Sequence, residues 1–75
     1  MIEQIRQCVS DHMEYETLEV TGGDGKFEIH IVAEAFRDLN RVKQQQLVYA
    51  SIKHLIGDGS VHAVTIKAQA PAKSD

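Results

Sequence analysis

The chain has 75 residues, a length that allows one small domain with a thin core, and its formal net charge is −3. A core of this size can hardly enclose a substrate cavity, so composition argues against a self-contained enzyme. The single cysteine excludes an internal disulfide and every zinc site built from several cysteines.

The first predicted element is an amphipathic helix at the N-terminus. Ile2, Ile5, Val9 and Met13 recur at spacings of three and four residues, which places them on one helical face. Cys8 belongs to the same helix, and we expect it to be a small buried hydrophobic residue without special reactivity.

A β-hairpin is predicted next. Apolar residues alternate with polar ones between Glu14 and Thr21 and again after Lys26, and this alternation is typical of half-buried strands. The segment Gly22–Gly25 between them is rich in glycine, which allows the positive φ angles of tight hairpin turns. The apolar positions of the two strands are Leu18, Val20, Phe27, Ile29 and Ile31.

The second half of the chain predicts a short helical turn or loop at 33–39, then a long helix and a last strand. Asn40 is a suitable N-cap for a helix that begins at Arg41, and Gly57 is expected as the glycine that ends it. Its apolar-face positions are Val42, Gln45, Val48, Tyr49, Ile52, Leu55 and Ile56. Residues 61–68 are rich in β-branched side chains and predict the third strand.

This order predicts an α+β domain with a three-stranded mixed sheet and helices on one face. Residues 1–70 form the single domain, and residues 71–75 are expected to be a loose tail. The polar N-terminus and the lack of a long apolar run lead us to expect a cytoplasmic protein without membrane contact.

Three runs carry a likeness to a known family: V-A-E-A-F at 32–36, R-V-K-Q-Q-Q-L-V-Y at 41–49 and V-H-A-V-T-I-K at 61–67. They resemble the BolA-like family, in particular its YrbA/IbaG branch, and the likeness extends over roughly residues 1–71. The resemblance implies a fold related to the class II KH domain, with the order α-β-β-(short α)-α-β. It also implies an association with stress responses.

The resemblance implies a partner and a cofactor. Members of the family are associated with monothiol glutaredoxins and with [2Fe–2S] clusters, where the glutaredoxin cysteine and glutathione supply thiolates. The BolA-like partner supplies a histidine at the start of its last strand, and the matching residue here is His62. We therefore expect a cluster only when it is shared with a glutaredoxin and glutathione, and none in the isolated chain.

The sequence departs from the family pattern in the hairpin. Relatives often carry a second histidine or cysteine in the loop before the second strand, whereas this chain reads G-D-G-K-F at 23–27. Lys26 therefore stands near the position of the second family ligand, and His30 is not expected to replace that ligand. The remaining histidines, His12 and His54, are expected to be solvated or structural, with His54 interacting with the last carbonyls of its helix.

A nucleic-acid-binding regulator is the alternative function. Residues 1–38 contain nine acids and three bases, but residues 39–75 contain two acids and five bases, which could form a basic patch. The G-x-x-G spelled by Gly22–Gly25 matches the phosphate clamp of KH domains, but its place between two strands favours a hairpin turn.

The preferred prediction is a non-catalytic adaptor, monomeric or weakly dimeric, that binds a monothiol glutaredoxin. His62 is its iron ligand, and Gly23, Asp24, Lys26, Arg41 and Lys43 are candidates for a partner or nucleic-acid surface. A plain protein-interaction module with another partner is the third hypothesis.

Overall fold

A computed structural model describes residues 1–72, and residues 73–75 lie outside that description. The predicted α+β class is confirmed, and the elements follow the predicted order with one additional helix. They are α1 (Ile2–His12), β1 (Thr17–Gly23), β2 (Lys26–Val32), a 3-10 turn (Glu34–Phe36), α2 (Arg41–Ser51), α3 (Lys53–Gly57) and β3 (Ala63–Gln69).

The three strands form one mixed sheet with β2 in the middle, as predicted. β1 pairs antiparallel with β2, and β3 pairs parallel with β2. Only one face of the sheet is buried, because buried and exposed residues alternate along β1 and β2. The helices cover this face, and their buried residues join those of the strands in one cluster: Ile5, Val9, Leu18, Val20, Phe27, Ile29, Ile31, Val48, Ile52, Leu55 and Ile66.

A two-residue turn joins β1 to β2, which confirms the predicted hairpin. Gly23 and Lys26 are its closing pair, and the two residues between them, Asp24 and Gly25, have φ angles of 54° and 80°. Positive φ at both central positions is the geometry of a type I′ turn, for which Asp-Gly is a preferred sequence. The turn therefore fixes the register of the first two strands.

The prediction of one continuous long helix is wrong, because the segment forms two helices. α2 ends at Ser51 and α3 begins at Lys53, with the fully buried Ile52 between them. The Ser51 hydroxyl donates to the Val48 carbonyl, an intrahelical bond of the kind that bends helices. Val42, expected on the buried face, is 62% exposed.

The ends of the last two elements also differ from the prediction. Gly57 is the final residue of α3, and the positive φ angle of the following turn is at Gly59 (83°). β3 begins at Ala63, so the buried Val61 precedes the strand. Of the predicted loose tail, residues 73–75 lie outside the described part of the chain, and the Pro71 carbonyl accepts a hydrogen bond from Arg37 at 3.0 Å.

Within residues 1–72, no helix has the length and apolar character required to cross a membrane.

The N-cap of α2 gives a test of the local fold. The Asn40 side-chain oxygen accepts a hydrogen bond from the Lys43 backbone N–H at 2.8 Å. We expect Asn40→Ala to lower the free energy of unfolding by about 1 kcal/mol, because that N–H loses its partner. Asn40→Asp should retain most of the stability in urea unfolding. Equal stability of Asn40→Ala and the unchanged protein would contradict the role of the cap.

Candidate functional site

His62 lies at the point where the hairpin turn meets the start of β3. The Gly25 carbonyl accepts hydrogen bonds from the backbone N–H groups of both His62 (2.7 Å) and Ala63 (3.0 Å). The imidazole is exposed to solvent and lies against Gly25, since a Cβ atom built there would be 2.3 Å from His62 Cδ2. A glycine at position 25 therefore leaves the space that the ring occupies.

The structure brings His62 together with the predicted hairpin residues. Gly23 and Lys26 close the turn that holds Gly25, and Asp24 is its other central residue. Lys26 is also the pairing partner of Ala63, the residue that follows His62. These residues, predicted from separate parts of the sequence, form one continuous surface at one end of the sheet.

Arg41 and Lys43 do not belong to that surface. Arg41 lines a groove between α2 and the second half of β3, together with Gln44, Gln45, Ile66, Lys67 and Ala68. Lys67 lies five positions after His62, a distance of about 16 Å along an extended strand. Lys43 is exposed in the first turn of the same helix. The candidate residues therefore divide into a hairpin surface and an α2 surface.

The tight turn contains no histidine or cysteine that could be a second iron ligand. Lys26 is already the first residue of β2, so only Asp24 and Gly25 lie outside the strands. Within residues 1–72, no group of three or more histidine, cysteine or acidic side chains is arranged to hold a metal ion. A [2Fe–2S] cluster takes four ligands, and an exposed imidazole fits one of them. The exposed imidazole of His62 therefore fits the role of one ligand in a cluster whose other ligands lie on another molecule.

The exposed histidine of the sheet has a different setting. His30 lies on the uncovered face, and its Nε2 atom is 3.5 Å from Glu28 Oε1. Lys67 Nζ approaches the same carboxylate oxygen at 3.4 Å. His30 is therefore part of a polar surface cluster, as its strand parity predicts.

His54 makes a contact that sequence analysis missed. Its Nε2 atom lies 3.5 Å from the sulfur of Cys8, so the ring joins α3 to α1 where an interaction with the last helix carbonyls was expected. The two residues are 46 positions apart, and no local pattern connects them. Burial raises the pKa of the Cys8 thiol, and the Asp11 carboxylate raises it further. This direction agrees with the prediction of an unreactive cysteine.

The raised pKa predicts slow alkylation of Cys8. A thiol with a raised pKa contains less thiolate at pH 8, and thiolate is the reactive form. We expect iodoacetamide to modify the folded protein more slowly than the urea-unfolded chain at that pH. Asp11→Asn should increase the folded rate, because it removes a negative charge that opposes ionisation. Equal rates for the folded and unfolded chains would contradict the prediction.

The contact between Gly25 and His62 predicts different costs for two glycine substitutions. Gly25 and Gly59 both have positive φ, but only at Gly25 would a new Cβ meet a neighbouring group. We expect Gly59→Ala to lower the free energy of unfolding by about 1–2 kcal/mol, the usual cost of left-handed backbone. Gly25→Ala should cost more, because the ring must also move.

A double-mutant cycle in urea isolates the ring contact. In a His62→Ala background, the excess cost of Gly25→Ala over Gly59→Ala should become smaller. An unchanged excess would show that the strain at Gly25 has another source.

Comparison with known proteins agrees with this fold. A family model described as BolA-like protein matches residues 3–73. The acid stress protein IbaG of Escherichia coli (strain K12) is 34% identical over 70 residues, which cover 93% of this chain and 83% of IbaG.

Solved structures of BolA proteins have the same fold as this chain. The BolA domain of SufE1 from Arabidopsis thaliana superposes with a TM-score of 0.85 at 27% identity, over 97% of this chain and 94% of that domain. BolA1 from Arabidopsis thaliana gives 0.85 at 23% identity, over 99% of this chain and 95% of its own. The resemblance noted in the sequence is confirmed: the chain belongs to the BolA-like family.

Proposed function

We propose that the chain is a non-catalytic adaptor that docks onto a monothiol glutaredoxin and contributes one ligand to a shared [2Fe–2S] cluster. The observation that carries the proposal is the exposed imidazole of His62, held against the Gly25 turn. The partner, its glutathione and the cluster come from the family resemblance. The chain's own geometry supports the proposal because it exposes one possible iron ligand, the His62 imidazole, to a binding partner.

The position of His62 is suited to binding a group presented from outside. Its backbone is tied to the Gly25 carbonyl, and its ring rests on a turn whose backbone is fixed by two positive φ angles. A ligand already held in position loses less conformational entropy when it binds than a free side chain does. Because the His62 backbone is fixed, we expect the exposed ring to meet an iron atom on a partner without a change in the backbone.

Replacement of one thiolate ligand by the His62 imidazole would change the reduction potential of the cluster. Imidazole in place of thiolate raises the reduction potential of a [2Fe–2S] centre. Ligation through His62 would therefore distinguish the shared cluster from one held by thiolates alone. In this proposal the remaining ligands are the glutaredoxin cysteine and glutathione, as the family resemblance implies.

The competing nucleic-acid function would use the α2 surface. Arg41 and Lys67 line the groove there, together with the amides of Gln44 and Gln45. However, Lys67 is 3.4 Å from the Glu28 carboxylate, and the whole chain has a net charge of −3. Both features weaken the attraction for phosphates on which such binding depends. We therefore retain the adaptor function.

Spectroscopy with a cluster-loaded monothiol glutaredoxin tests the ligand. We expect addition of the protein to change the visible absorption and circular dichroism of the cluster, and His62→Ala to abolish that change. His30→Ala is the matched control, because it removes another exposed imidazole, one that lies within β2. His62→Cys should restore a shared cluster with a lower reduction potential, since thiolate replaces imidazole.

Two outcomes would decide against the proposal. An unchanged cluster spectrum with the unsubstituted protein would remove the cluster role. A spectral change that persists in His62→Ala would remove His62 as the ligand. Binding of DNA that weakens steeply with salt would then favour the α2 surface.

A further inference from the structure

The outer edge of β3 carries backbone groups that the sheet does not use. β3 is the last strand in the sheet order, so β2 is its neighbour on one side and the other side is free. The Ala63 N–H donates to the Gly25 carbonyl, and successive residues of a strand direct their backbone groups to opposite sides. The odd-numbered residues of β3 therefore bond to β2. The even-numbered residues direct their N–H and C=O groups away from the sheet: Val64, Ile66 and Ala68.

These outward groups border a groove of about 320 Å³ between α2 and β3. At one end of the strand, the Tyr49 hydroxyl donates to the Val64 carbonyl over a long 3.5 Å. Within residues 1–72, no side chain forms a hydrogen bond with the outward groups of Ile66 and Ala68, so they remain available to another molecule. The lining residues of this α2–β3 groove are Arg41, Gln44, Gln45, Ile66, Lys67 and Ala68.

One flank of α2 exposes apolar carbon beside the free edge. Val42 is 62% exposed and Tyr49 is 39% exposed. The two residues are seven positions apart, close to two helical turns, so they lie on the same flank of the helix. Because the Tyr49 hydroxyl reaches Val64, that flank faces the edge of β3. The exposure of Val42, which sequence analysis did not predict, therefore occurs next to unpaired strand groups.

The α2–β3 groove is cationic although the chain is acidic. Its lining contains Arg41 and Lys67 and neither aspartate nor glutamate, whereas the whole chain has a net charge of −3. Lys67 is 3.4 Å from the Glu28 carboxylate, but Arg41 forms no ion pair among residues 1–72. The first turn of α2 contains no acidic residue. The groove therefore favours negative charge on a bound molecule.

The chemistry of the edge selects the kind of ligand. A row of outward N–H and C=O groups is complemented by a second extended backbone, which offers acceptors and donors at the same two-residue repeat. A DNA phosphate backbone offers acceptors but no donors for the free carbonyls. A second copy of this chain would place two cationic edges opposite each other, which is unfavourable. An acidic, extended peptide satisfies both the backbone groups and the charge.

We propose that the α2–β3 groove is a docking site for an extended peptide segment of a partner protein, which pairs with β3 as a fourth, antiparallel strand. Aliphatic side chains of the segment pack against Val42 and Tyr49. Acidic side chains alternate with them and lie beside Lys67 on the uncovered face of the sheet. The site goes beyond the proposed adaptor function and does not depend on it, because the groove contains no part of His62.

A synthetic peptide tests the site. The probe is a fluorescent, capped octapeptide in which glutamate and valine alternate, and the measurement is fluorescence anisotropy with the full chain. We expect it to bind about tenfold more tightly than a block peptide with four glutamates followed by four valines, which has the same composition and charge. A lysine–valine octapeptide of the same alternation should also bind more weakly, because the groove is cationic.

Methylation of the peptide nitrogens tests the strand pairing. In the proposed arrangement the valines lie opposite Val64, Ile66 and Ala68, and their N–H groups donate to β3, whereas the glutamate N–H groups point to solvent. We expect N-methylation of the two central valines to abolish binding and N-methylation of the two central glutamates to have little effect. Equal affinities of the two methylated peptides would overturn the addition of a strand.

Val42→Glu tests the flank of α2. The side chain is 62% exposed, so the urea midpoint should not change, but glutamate removes an apolar contact and repels an acidic peptide. We expect binding of the alternating peptide to weaken about tenfold. Gln4→Glu is the matched control, because it adds the same charge at an exposed position in the first turn of α1, which packs against β1 and α2. Arg41→Gln should weaken binding at low salt and lose its effect at high salt.

The outcomes separate this site from the adaptor function. His62→Ala should bind the alternating peptide with unchanged affinity, whatever its effect on a cluster spectrum. Equal affinities for the alternating and block peptides, or unchanged binding by Val42→Glu, would overturn the proposal. A DNA duplex that displaces the peptide, or self-association that Val42→Glu abolishes, would assign the groove to that other occupant and overturn it as well.

Discussion

The carbonyl group of Gly25 joins the two halves of this fold. It accepts backbone hydrogen bonds from both His62 and Ala63, so the tip of the hairpin determines where the third strand begins. The turn must place that carbonyl correctly, and the positive φ angles of Asp24 and Gly25 do so. The absence of a side chain at Gly25 then leaves room for the imidazole. Strand register and the candidate ligand therefore depend on the same residue.

Local chemistry was sufficient to predict the first half of the fold. The spacing of Ile5 and Val9 identified the buried face of α1, and the glycine-rich segment Gly22–Gly25 identified a tight hairpin turn. Asn40 was predicted as an N-cap, and its side chain makes the expected bond to Lys43. In each case the determinant lies within a few residues of the feature, which is where sequence patterns are informative.

Features that depend on tertiary packing were not predictable in the same way. The helix breaks at the buried Ile52, where neither proline nor glycine marks a boundary, although Ser51 is a residue type that can bend a helix. The contact between Cys8 and His54 joins residues far apart in the sequence. The family likeness identified His62, but its position against Gly25 required the pairing of β2 with β3. Arg41 is separated from the hairpin surface because the start of α2 lies beside the second half of β3.

The parallel pairing of β2 with β3 has a consequence for the order of folding. The hairpin closes through a two-residue turn and can form within microseconds, whereas β3 must return across some thirty residues and two helices. Closing that longer loop has a larger entropic cost, so we expect the third strand to dock last. His62 joins Gly25 only at this final step. A nascent or partly unfolded chain would then present the hairpin without the His62 imidazole beside it, and only the completed domain would carry the candidate ligand in its place.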